Sequence, residues 1–218
     1  MKNTLLRHAL FACVVATTLA GGTRAAEPIE STQPTQPALR EELLAMRERD
    51  QAARQATTQA DMQQWAAIDA AHLVRIKAIV AHFGWPTVSM VGKDGARAAW
   101  LLVQHADRDQ PFQNRVLAMM EPLVAEGEAS GVNYAYLYDR THYPQRYGTQ
   151  GTCVNARAWE PFEIEDLASV NARRRALGLM SMAEYAKHFE CDGPLMAFGD
   201  ATRRTVPVPP DDQPATPQ

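Results

Sequence analysis

Whatever chemistry this chain can do rests on His105 and a few carboxylate, phenol and amide side chains: Asp50, Asp139, Tyr147, Gln104 and Gln150. An imidazole beside a carboxylate or a phenol can carry a proton to or from a reacting group. The question is which of these groups folding can bring to His105. Asp107 is two residues away, about 200° around a helix, so it cannot pair with His105 while both are helical. The partner must come from another element: Asp50, Asp139 or Tyr147. Asp50 has suggestive surroundings, because it follows Leu39 by eleven residues and so falls only about 20° off the apolar stripe of Leu39, Leu43, Met46 and Ala53. A carboxylate on such a stripe must find a partner or shift its pKa. Its structural reading is a pair with an arginine or a cap on a neighbouring helix. A His105-centred site would suit hydrolysis of a peptide or glycan bond, although the chain has neither a Gly-x-Ser-x-Gly elbow nor a His-Glu-x-x-His word.

Other chemistries have less support. His72, His82, His105 and His142 are scattered, so no metal site is expected. Gly92 and Gly95 do not fit a nucleotide loop, and no cofactor is implied. His72 reads as a hydrogen-bonded core residue, and His82 as a cation near a helix end that Gly84 closes. Binding needs fewer assumptions: Trp85, Trp159, Tyr136 and Tyr143 are aromatic anchors, with Gln104, Asp107, Arg140 and Gln150 as polar contacts. Cys153 and Cys191 read most simply as a disulfide in an oxidising compartment, and closing that loop stabilises by roughly 3 to 4 kcal/mol.

The elements that must hold these groups are mostly helical. Ala96 to Ala106 is apolar on nearly every side of a helical wheel, which predicts a central helix buried all round. Amphipathic helices are predicted over about 38–57 and 62–83, with Gly92 to Gly95 as a turn from which Asp94 caps the central helix. Asp109 or Gln110 caps the next helix, with Pro111 in its first turn. Tyr134 to Arg140 reads as helix, and Gln145 to Ile164 as a two-stranded hairpin. Asp166 is expected to cap a helix that Gly178 ends, and Ser181 with Glu184 to box the last one. Arg173 to Arg175 reads as a solvated face, with one arginine able to turn inward to a carboxylate. The fold class is thus mainly α, an orthogonal helical domain around residues 96–106 with one small hairpin at about 145–164.

The ends read differently. Lys2 and Arg7 precede the apolar run Ala9 to Ala20 and the small residues through Ala26, the pattern of a signal peptide cut near Ala25. Cys13 lies within that run, in a poor lipoprotein context. Residues 26–37 read as a flexible spacer, 38–204 as one globular domain and 205–218 as a disordered proline-rich tail. Without the leader, 19 Lys and Arg face 25 Asp and Glu, so the formal charge moves from −3 to −6. No nucleic-acid partner and no membrane span are expected of such a chain, and a periplasmic or secreted location is.

The words Gly84-Trp85-Pro86-Thr87, Ala98 to Asp107 with its Gln-His-Ala-Asp, and Tyr147-Gly148-Thr149-Gln150 carry a resemblance over most of the body, from about Leu39 to Tyr185. The chain resembles the bacterial family catalogued as domain of unknown function 6624. The resemblance implies no activity and assigns no catalytic residue; His72 departs from the asparagine expected at its position. The residues themselves favour an exported binding or interaction module whose partner is an envelope protein or a small ligand. The alternative is a cell-envelope hydrolase with a His105-centred acid–base site. The two differ in one arrangement: an enzyme needs His105 and its partner in a cleft, whereas a binding module satisfies them internally beneath a flat aromatic patch.

Overall fold

Leu39, Leu43 and Met46 recur at helical spacing, and in the computed structural model they bury one side of α1 (Pro37–Ala53) against α3 (Val88–Gln104). Residues 33–55, 58–191 and 203–211 are described; the expected leader and most of the spacer lie outside them. Among the described residues the fold is mainly α, seven α-helices with one small two-stranded sheet. α2 (Gln59–Phe83) begins at a capping box of Thr58 and Asp61 and turns Ile76 and Ile79 into the core. α4 (Gln110–Ala125) starts at Asp109, whose carboxylate accepts from the Phe112 N–H at 3.0 Å, and it runs through Pro122 to Ala125. α5 (Gly131–Thr141) confirms the helical reading of the tyrosine-rich segment.

The central helix departs from expectation at both ends and on one side. It starts at Val88, capped by Thr87, and kinks at Gly92 (φ 72°), so the expected turn is a bend inside the element. Asp94 accepts from the Gly95 N–H at 2.9 Å and takes a bidentate pair from Arg40 of α1. Nor is the helix covered all round. Ala98, Ala99, Leu102 and Val103 are buried, Arg97 is exposed, and Trp100, Leu101 and His105 are half-buried along a cleft. Its last helical residue is Gln104; His105 is the C-cap, with φ −88° and ψ 1°.

The hairpin, β1 (Gly151–Asn155) with antiparallel β2 (Ala158–Pro161), is shorter than its sequence signal. With α6 (Val170–Ala176) and α7 (Met182–Ala186) it builds a second apolar cluster of Trp159, Ile164, Val170, Met182 and Tyr185. Cys153 and Cys191 are joined there as a disulfide. Asp166 does not cap α6. It stands at φ 43°, makes no cap bond, accepts from the Ser169 hydroxyl instead, and is followed by a 3-10 turn, Leu167–Ser169. Within the stretch expected as a tail, the Val206 N–H donates to the Pro161 carbonyl at 2.9 Å, and Val206 and Val208 pack on the hairpin cluster; residues 212–218 lie outside the described residues. At the other end, the N–H groups of Thr35 and Gln36 donate to the carbonyls of Ser89 and Met90.

Candidate functional site

α1 carries Asp50 and α3 ends at His105, and packing these helices together places their side chains in contact. Asp50 is 1 % exposed, and its Oδ1 lies 2.9 Å from Nδ1 of His105. Arg54, the residue that caps the end of α1, donates from Nη2 to Asp50 Oδ1 (3.0 Å) and to Asp69 of α2 (3.1 Å). Burial works to raise the Asp50 pKa, but hydrogen bonds from His105, Arg54 and Gln51 outweigh it and hold the carboxyl well below the usual range.

An ionised Asp50 determines the His105 tautomer. Arg54 Nε lies 3.0 Å from His105 Nδ1 and 3.2 Å from Asp50 Oδ2. If Nδ1 accepted from Arg54, its lone pair would face the Asp50 oxygen lone pair at 2.9 Å. The arrangement without that repulsion has the Nδ1–H of His105 donating to Oδ1 and the Arg54 Nε–H directed to Oδ2. Nε2 of His105 makes no hydrogen bond among the described residues and is left, as an acceptor, to the cleft that His105 lines.

That cleft has a volume of about 890 Å³. Trp65, Asp69 and Leu73 of α2 form one wall, and Trp100, Leu101, Gln104 and His105 another. Tyr136 and Arg140 of α5, with Thr149 and Gln150, close the third side. Asp107 and Arg140 both line it and form a bidentate ion pair. The opposite orientations expected of His105 and Asp107 do not occur, because the helix has ended before either residue. Gln104 is 7 % exposed, and its Oε1 is buried without a hydrogen-bond partner. Gln150 lines the cleft with its amide bonded to Thr149.

Two sequence candidates lie elsewhere. Asp139 accepts from the N–H groups of Arg146, Tyr147 and Thr149 at 2.8, 3.0 and 2.8 Å, and so holds the loop before β1 from inside. Burial pushes its carboxyl pKa up against those three donors. Tyr147 is buried against Tyr134 and Tyr138, and burial pushes its phenol up as well. Neither lines the cleft or reaches His105. The aromatic anchors also fall short of a flat patch: Trp85 is 4 % exposed and Trp159 is buried under Tyr185 and Phe189. Arg174 does turn inward, but to the carbonyls of Met180, Tyr147 and Gly148 rather than to a carboxylate.

Sequence reasoning missed Arg54, Trp65 and Trp100 as members of the site. The signal for Arg54 was its i+4 spacing from Asp50; Trp65 and Trp100 looked like core. Among the described residues no group of three or more His, Cys, Asp and Glu could hold a metal ion, and no helix is long and apolar enough to cross a membrane. Comparison with curated proteins and with solved structures finds no match. Comparison with protein families does: the match runs from residue 37 to 196, across every helix and strand that builds the cleft, and the chain therefore belongs to a family of unknown function, domain of unknown function 6624.

Proposed function

We propose that the cleft is the active site of a hydrolase in which Asp50 and His105 act as an acid–base pair. The observation that carries this reading is the 2.9 Å contact between buried Asp50 and Nδ1 of a His105 that lines an open cleft. With Nδ1–H held by the carboxylate, Nε2 takes a proton from a water as its oxygen attacks the carbonyl carbon of a bound substrate. The imidazolium so formed is stabilised by Asp50 and returns the proton to the leaving group as the scissile bond breaks. Arg54 does not reach the reacting atoms; it holds the Asp50 oxygens in place. The leader-like opening and the Cys153–Cys191 disulfide support placing this activity in the periplasm or outside the cell.

The test is turnover of a panel of activated esters and aminoacyl p-nitroanilides by the full chain. Hydrolysis above buffer is expected, with a drop of about 100-fold or more in His105→Gln and a smaller drop in Asp50→Asn. Undiminished turnover by folded His105→Gln would contradict the reading. One observation favours a second reading, ligand capture without turnover: among the described residues no serine or cysteine is joined to His105 as a nucleophile. Binding without turnover of any substrate in the panel would select it.

A further inference from the structure

Trp65, Trp100 and Gln104 line the cleft, and each leaves a buried polar atom without a hydrogen-bond partner: two indole N–H groups and one end of an amide. Buried polar groups are nearly always satisfied, and leaving one bare costs stability. Those three atoms are enclosed within the walls, so what Trp65, Trp100 and Gln104 offer a bound molecule is the rest of their side chains. Across Trp100 and Tyr136 lies a second hollow of about 690 Å³, lined also by Trp85, Lys93, Arg97 and Asn133. Trp100 and Tyr136 face both hollows, their rings edge to face at 6.3 Å, so the two spaces meet at this aromatic pair.

Charge supplies the ligand class. The carboxylates lining the two hollows are Asp69 and Asp107, and each is paired, with Arg54 and Arg140. Arg108 in the first hollow and Lys93 and Arg97 in the second have no carboxylate partner among the described residues. The unpaired charge along this surface is therefore positive, in a chain whose formal charge is −3. We propose that the two hollows form one groove for an extended acidic peptide, its carboxylates at Arg108, Lys93 and Arg97 and its backbone crossing the Trp100–Tyr136 pair. An extended peptide can cross the Trp100–Tyr136 rings while its carboxylates reach the cations of both hollows; a neutral glycan leaves the three cations unmatched. This rests on the cleft being the working site and names the substrate class that His105 would meet there.

Binding is measured by fluorescence anisotropy with a dye-labelled, end-blocked hexapeptide alternating glutamate and alanine. Its glutamine-for-glutamate analogue and a hexamer of N-acetylglucosamine serve as competitors. Using both the full wild-type chain and His105→Gln separates binding from cleavage. The acidic hexapeptide is expected to bind both proteins at least 10-fold more tightly than its glutamine analogue, with the preference shrinking as salt rises. The Lys93→Glu, Arg97→Glu double variant, whose side chains are exposed and unpaired, is expected to lose about 10-fold in affinity for the acidic peptide while keeping its circular dichroism spectrum. Equal binding of the glutamine analogue, tighter binding of the glycan, no binding, or an unaffected double variant would each overturn the proposal. Acidic-peptide binding with no hydrolysis of any kind would leave the groove standing and remove the hydrolase.

Discussion

One buried carboxylate sets the state of two neighbours. Asp50 is ionised because His105, Arg54 and Gln51 all donate to it, and its charge in turn keeps the proton of His105 on Nδ1. Its pKa is lower folded than unfolded, so it contributes stability above its unfolded value of about 4, and that contribution disappears as pH falls below this value. Urea unfolding from pH 7 down to 2.5 should show the wild type losing stability in acid more steeply than Asp50→Asn. At pH 7 the variant should be less stable by about 2 kcal/mol or more, since the substitution leaves Arg54 short of a buried partner. Asp139 makes a different prediction. Removing it as Asp139→Ala orphans three amides and should cost about 3 kcal/mol or more in the same assay. The burial of Asp50 was legible from its place on the Leu39–Met46 stripe. The inward role of Asp139 was not, because nothing local to it announces three amides arriving from residues 146–149.

Elements were readable where periodicity or a cap marked them and less so where the chain turned. Asp109, Ser181 and Gly178 delimit helices as their types require. The end of α3 had no such mark: the apolar pattern runs to Val103 and neither glycine nor proline stands between Gln104 and Gln110, so the break that lets His105 and Asp107 share one cleft was invisible. The same apolar pattern hid the cleft, because a wall built from Trp100 and Leu101 has the composition of a core. In the hairpin the glycines had a legible reason only in part. A Cβ at Gly151 would lie 2.3 Å from the Glu160 carbonyl oxygen, and one at Gly148 would lie 2.6 Å from Ile164 Cδ1, with φ already at 65°. Gly151→Ala should therefore destabilise by about 2 kcal/mol or more and loosen the β1–β2 pairing, readable as faster amide exchange in residues 151–161.

Among the described residues two apolar clusters meet at Tyr136, which packs against both, and at the loop before β1. Its amides face Asp139 and its carbonyls face Arg174, so peptide dipoles link a buried anion to a buried cation. The disulfide closes the second cluster across 38 residues, and its reduction should cost about 4 kcal/mol, measured by unfolding with and without reductant. The larger cluster does the work of the site: packing α1 on α3 is what brings Asp50, from one helix, to His105, from the end of another. Whether that packing yields a usable base is read most directly from the side-chain nitrogens of His105 in a long-range proton–nitrogen spectrum of histidine-labelled protein at neutral pH. The geometry predicts a proton on Nδ1 and a bare Nε2, with that preference lost in Asp50→Asn. A His105 protonated on Nε2 in the wild type, or unchanged by the substitution, would contradict it.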